Sequence, residues 1–317
     1  MPGSALVDAV RYDLRHRTRY EYGQTVSVSH HVAHLRPREL PGQRCLSHSL
    51  EIDPEPSTLN EHLDYHGNPT SVFTMEAGYE QLIVTARSRV EVLPIPRPDP
   101  EKTPSWEIVR EVCAGRQWNP DTEAGEFAYA SPLGPVRPDC AAYAAPSFPV
   151  GRPILVAVLD LTKRIFREFR FDPGATTVST RVETVLRNRR GVCQDFAHLQ
   201  IACLRSLGLP ARYVSGYLET IPPAGQTKLV GSDASHAWVS FWCPGHGWVD
   251  VDPTNNVLPS ERHITLGWGR DYGEVSPLRG VSVGSGRHAL KVEVDVIPVP
   301  DDESPPSSEP DPPTPAP

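Results

Sequence analysis

Alternation of apolar and polar positions dominates the first third of the chain. Val10, Tyr12 and Leu14 alternate with charged residues, and the same period of two returns in Thr25–Leu35, Leu46–Ile52, Ser71–Met75 and Leu82–Leu93. Such a period puts apolar groups on one face of a strand. Tyr22-Gly23, His66-Gly67-Asn68-Pro69 and Ala77-Gly78-Tyr79 separate the runs as turns. Several short strands without a convincing helix predict a β-sandwich over residues 1–96. Leu93-Pro94-Ile95-Pro96-Arg97-Pro98-Asp99-Pro100 then interrupts every pattern and reads as a linker.

Beyond the linker the period changes. Trp106–Cys113 predicts a short helix, while 116–150 has no clear period and stays unplaced. Leu155, Val158, Leu159, Leu161, Ile165, Phe166 and Phe169 recur at helical spacing, so 154–169 predicts an amphipathic helix. Thr180 and Glu183 resemble a capping box that opens a short helix ending near 188–190. From Cys193 the residues Phe196, Ala197, Leu199, Ile201, Leu204 and Leu207 surround most of a helical cylinder before Gly208 and Pro210 stop it. A helix apolar on most sides is a buried helix. Ala211–Leu218 predicts a strand, Ile221–Gly231 a flexible loop, and the segments around His236 and 247–252 two further strands. Residues 256–280 read as glycine-rich and irregular, and Val281–Val299 alternates as closing strands. The expected organisation is α+β, with a core over 101–299 and a disordered tail of Asp, Glu, Ser and Pro over 300–317.

The predicted helix puts Cys193 in its first turn. Unpaired N–H groups and the positive end of the dipole favour thiolate there, which suits a nucleophile. His236 begins the next strand but one, and Asp250 and Asp252 follow on the strand after it. Cysteine, histidine and carboxylate in this order form the set in which imidazole deprotonates a thiol and carboxylate orients imidazole. Alternation puts Asp250 and Asp252 on the same face, so periodicity cannot separate them. Gly191-Val192-Cys193-Gln194-Asp195-Phe196-Ala197, Ser235-His236-Ala237-Trp238-Val239 and Gly247-Trp248-Val249-Asp250-Val251-Asp252-Pro253-Thr254 resemble the three motifs of the bacterial transglutaminase-like superfamily. The first 96 residues also resemble the N-terminal β domain of one bacterial branch.

That resemblance implies an N-terminal β-sandwich followed by a papain-like, transglutaminase-like cysteine core, with Cys193 as nucleophile, His236 as base and Asp252 as orienting acid. It implies acyl transfer through a thioester on a peptide, protein or amide-containing small molecule. Hydrolysis as protease or amidase is preferred over transamidation, because nothing in the sequence suggests a calcium site or pro-segment. A non-catalytic binding module of the same fold is the rival, and it would be expected to lack one of the three residues. The Cys193 N–H is the first expected oxyanion donor. The second is unassigned, since animal transglutaminases use a tryptophan upstream of the cysteine, and Trp106 and Trp118 are too distant to match.

Composition narrows the class. With 38% hydrophobic and 22% charged residues the chain reads as globular, and its 35 prolines suit many loops. A net charge of −8 argues against a general nucleic-acid binder. No membrane-spanning stretch or signal peptide is legible, and six scattered cysteines suggest reduced thiols, so the expected location is cytoplasmic. No cofactor is expected, and no metal: His30, His31 and His34 would not share one strand face. Cys203 reads as a core residue, Gln194 and Asp195 as caps, His198 as a core or surface histidine, and Trp238, Trp242 and Trp248 as strand packing.

Overall fold

The computed structural model describes residues 9–115, 120–220, 235–284 and 286–300. The alternating N-terminal runs form strands β1 (Val10–Val26), β2 (Val28–Ala33), β3 (Gln43–Asp53), β5 (Pro69–Met75) and β6 (Tyr79–Val92), and a strand not expected from the sequence, β4 (Thr58–Leu63), lies between β3 and β5. The next segment holds helices α1 (Trp106–Cys113), α2 (Pro120–Ala124), α3 (Pro138–Ala144) and α4 (Ile154–Glu168), the short strand β7 (Arg170–Phe171), helix α5 (Val182–Asn188) and strand β8 (Arg190–Gly191). Helix α6 (Cys193–Ser206) leads into β9 (Ala211–Leu218), β10 (Ser235–Cys243), β11 (Gly247–Val251) and β12 (His263–Gly269). Helix α7 (Tyr272–Val275) and strands β13 (Leu278–Val283) and β14 (His288–Val299) close the described chain.

These strands build two layers of a sandwich, ordered β14-β1-β6-β3 and β13-β2-β5-β4, and a third antiparallel sheet ordered β11-β10-β9-β12. The fold is α+β, a β-rich N-terminal region followed by helices on an antiparallel sheet. Val26, Phe73, Met75, Leu82 and Val84 fill the space between the sandwich layers. Helix α6 lies in the largest core, where Phe196, Leu199, Ile201 and Leu204 meet Leu155, Val158 and Leu161 of α4 and Val239 and Phe241 of β10. Burying such aliphatic and aromatic side chains contributes about 1.5–3 kcal/mol each, which fixes α6 against the sheet.

The closing strands form, but in a different place from the one expected. β14 pairs antiparallel with β1 along its whole length, from Arg11↔Val299 to Tyr22↔His288, and β13 pairs with β2. The range 101–299 is therefore corrected at its end: residues 278–299 complete the sandwich rather than the sheet around α6. Alternation makes a strand legible without naming its partner. A further cluster of Tyr12, Leu14, Val90, Val92, Val294 and Val296 with Tyr217, Ile264 and Leu266 joins the sandwich to the α6 sheet.

Two other readings change. Residues 256–280 are not irregular throughout, because they contain β12 and α7 and begin β13. The helix at 182–188 forms without the capping box; Thr180 Oγ1 instead accepts from the Thr177 N–H at 2.8 Å. Part of the unplaced segment forms α2 and α3. Residues 116–119 with Trp118, the loop expected at 221–231 and the tail from 301 lie outside the described residues. Among the described residues no helix is long and apolar enough to cross a membrane.

Candidate active site

Gly191 begins the local geometry around Cys193. The β7–β8 pair brings Arg190 and Gly191 alongside Arg170 and Phe171, and α6 starts two residues later. Asp195 Oδ2 accepts from the Val192 N–H at 2.8 Å and from the Thr176 hydroxyl at 2.6 Å. A side-chain Cβ at 191 would collide with this carboxylate, so only glycine fits. The cap expected of Asp195 is thus present, and Asp195 is buried. Gln194 Nε2 donates to the Val178 carbonyl at 3.1 Å, so both polar neighbours of Cys193 anchor the 176–178 loop.

His236 and Asp252 come from adjacent strands. β10 pairs with β11 through Val239↔Val251 and Ser240↔Asp250, which carries Asp252 past the strand end toward His236. His236 Nε2 lies 2.8 Å from Asp252 Oδ2, with the imidazole side chain 10% exposed and the carboxylate fully buried. The Cys193 thiol is near enough to the imidazole to act, with Asp252, in favour of its protonated form. Burial works against an imidazolium here, but the bonds to Asp252 and Cys193 outweigh it and push the His236 pKa up to about 10. Asp252 responds in the opposite sense. Burial alone would raise its pKa, yet hydrogen bonds from His236, His263 and Asn255 hold it well below the usual carboxylate range.

The Asp252 carboxylate is saturated with donors. Oδ1 accepts from the Thr254 and Asn255 N–H groups at 2.8 and 3.2 Å. Oδ2 accepts from Asn255 Nδ2 at 2.7 Å and lies 3.3 Å from His263 Nε2. Asp250, on the same face, is committed elsewhere: its Oδ2 accepts from Trp238 Nε1 at 2.9 Å. The buried guanidinium of Arg212 lies near it, between the rings of Trp248 and Trp268. The structure therefore brings Cys193, His236 and Asp252 together and leaves Asp250 out.

The remaining candidates fall into place as packing. Cys203 is fully buried, and all six cysteines are unpaired. His198 is buried, stacks on Tyr213 at 4.9 Å between ring centroids and accepts from the Tyr272 N–H at 3.2 Å. Trp238 is fully buried, and Trp242 donates to Asp121 at 2.7 Å while meeting Trp248 edge-on. Trp106 donates its indole N–H to the Pro149 carbonyl and packs on Phe148. His31 and His34 are both buried, bonded to Ser29 Oγ and to the Ser276 carbonyl, and His30 faces Thr74. Among the described residues, the group able to offer a metal three ligand atoms within 4.8 Å of one another is His236, Asp252 and His263. Asn255 and His263 were missed from the sequence: Asn255 directly follows the Asp252-Pro253-Thr254 motif but was given no role, and His263 stands outside every motif.

The chain matches the bacterial transglutaminase-like N-terminal region over residues 12–91 and the transglutaminase-like superfamily core over residues 151–253. The chain belongs to the transglutaminase-like superfamily. An uncharacterised protein of Mycobacterium tuberculosis is 42% identical over 91% of this chain and 93% of its own length. One from Mycobacterium leprae is 32% identical over 89% and 96%. A protein-glutamine gamma-glutamyltransferase of Pseudomonas aeruginosa is 38% identical, over 29% of this chain and 14% of its own length. Among solved structures, a candidate cysteine protease from Cytophaga hutchinsonii superposes with a TM-score of 0.73 at 19% identity, covering 94% of this chain and 93% of that one. This last likeness speaks for the fold alone.

Proposed function

We propose that the protein is a cysteine-dependent acyl-transfer enzyme in which Cys193, His236 and Asp252 act as nucleophile, base and orienting acid. The observation that carries this reading is the His236 imidazole, hydrogen-bonded at Nε2 to a buried carboxylate and raised in pKa by that carboxylate together with the thiol at the start of a helix. The thiolate attacks the carbonyl carbon of a peptide or carboxamide, forming a C–S bond and a tetrahedral oxyanion. His236 Nδ1–H protonates the departing amine as the C–N bond breaks, leaving a thioester. Water, deprotonated by His236, then attacks the thioester and releases the acid and the thiol. As the first helical residue Cys193 has an N–H without an intrahelical acceptor, which suits it to the oxyanion.

Hydrolysis of a peptide or protein amide is the reading we favour. An amine in place of water would give transamidation, and the glutamyltransferase from Pseudomonas aeruginosa supports that second reading over the portion it shares. Retention of all three residues argues against a non-catalytic module. The unpaired cysteines support a reducing compartment, and on that ground we place the protein in the cytoplasm. Incubating the protein with peptide libraries and a tagged amine, then weighing the products by mass spectrometry, tests the reading. We expect water-derived carboxylates that vanish in Cys193→Ala; tagged products would favour transamidation, and turnover retained in Cys193→Ala would overturn the mechanism.

A further inference from the structure

We infer that His263 is a positioning residue: a neutral imidazole that donates to Asp252 and keeps that carboxylate turned toward His236. This rests on the triad reading above. His263 opens β12, which lies at the opposite edge of its sheet from β11, with β10 and β9 between them. The segment after Asp252 therefore crosses the sheet before delivering His263 back to Asp252. Its Nε2 sits 3.3 Å from Asp252 Oδ2 in a buried position. Its ring stands edge-on to Trp238, at 5.3 Å between centroids.

The tautomer follows from the other nitrogen. His263 Nδ1 faces the Ser260 N–H at 3.3 Å, and a backbone N–H can only donate. Nδ1 therefore carries no proton, and the one ring proton sits on Nε2, aimed at Asp252. A neutral donor is the useful kind here. It satisfies a lone pair of the buried carboxylate without cancelling the negative charge that His236 needs opposite it, as a second cation would. Asn255 Nδ2 shares the same oxygen at 2.7 Å, so Oδ2 is held between two neutral donors and the working imidazole. The ionisable groups set against Asp252 are His236 on β10 and His263 itself, with Cys193 on α6 acting on His236. Asp250 is engaged by Trp238 and cannot substitute for Asp252.

The test is the pH dependence of Cys193 alkylation by iodoacetamide, resolved by mass spectrometry, in the full-length protein. His263→Phe keeps a ring against Trp238 and deletes the Nε2–H. Its acid limb should move up by about one pH unit, because the imidazolium that stabilises the thiolate is less well held. His263→Gln, which restores an N–H near Nε2, should recover most of the shift. Leu266→Ala weakens the same strand away from Asp252 and should leave the limb at its wild-type position. If His263→Phe does not fold, His263→Asn against His263→Gln makes the same comparison, since the shorter amide cannot reach Asp252. A His263→Phe profile that superposes on wild type, or equal shifts in Leu266→Ala, would overturn the positioning role. Wild-type Cys193 reacting like an ordinary thiol would instead sink the triad reading itself.

Discussion

Asp250 and Asp252 stand two residues apart on one face, and their neighbours give them different work. Asp252 is buried under five donors, His236 among them, whereas Asp250 holds the Trp238 indole and lies near Arg212. Asp252→Asn should keep the fold and lower kcat/KM by orders of magnitude, as when the carboxylate that orients a catalytic imidazole is neutralised. Asp250→Asn should do the reverse. It weakens the bond to the Trp238 indole and the field on the buried Arg212 and costs on the order of 1 kcal/mol of stability, while the folded fraction stays active. Steady-state kinetics beside urea denaturation separates the two, and equal kinetic losses would remove the basis for choosing Asp252. The sequence placed both aspartates on one face but could not rank them by periodicity. The ranking came from the Asp252-Pro253-Thr254 motif, and the hydrogen bonds give its physical basis. His263 carried no such signal, since its link to Asp252 depends on how a segment crosses the sheet.

At the scale of elements, α6 was legible because its apolar residues cover most of the cylinder, and all but its ends are buried. β12 was not legible for a different reason. Ile264, Leu266 and Trp268 do alternate with His263, Thr265, Gly267 and Gly269, but the run is short and glycine fills two of its alternate positions, so it reads as loop. β9 is buried from Ala211 to Tyr217, and it was found through its position after α6. The two strands approach closely at Gly216, where a Cβ would strike the Ile264 carbonyl and the Trp238 ring. Gly216→Ala should therefore force β9 and β12 apart and lower stability by on the order of 2–3 kcal/mol. Denaturation midpoints measure this, and a variant within a few tenths of wild type would mean that the strands yield without cost.

For the molecule as a whole, the first and last described strands, β1 and β14, lie in the same layer. β14 covers β1 and β13 covers β2, while Val294 and Val296 pack with Tyr217 and Ile264 of the α6 sheet. The sandwich therefore cannot be complete until the last strands are made, although five of its first six strands were readable from the N-terminal sequence alone, β4 at Thr58–Leu63 being the one missed. What sequence periodicity lacked was the pairing, which depends on residues more than 250 positions apart. A chain ending at Ser276 should lose cooperative unfolding and expose the apolar face of β1 to a hydrophobic dye. A chain ending at Pro300 should melt within about a degree of the full protein, since few apolar residues are removed. Equal stability of the two would contradict the closing role of β13 and β14.

The central claim, that Cys193 is activated by an imidazole held by Asp252, is tested most directly by following alkylation of all six thiols as a function of pH. Because the His236 pKa is raised to about 10, the imidazolium persists through neutrality and is lost only as pH rises through that value. Cys193 should accordingly label first of the six at pH 7. Burial raises the thiols of Cys113, Cys203 and Cys243 and retards them, and Cys45 is raised as well. His236→Ala should slow Cys193 labelling at neutral pH by about tenfold or more. If Cys193 labels no faster than Cys45, or if His236→Ala leaves its rate unchanged, the account is contradicted.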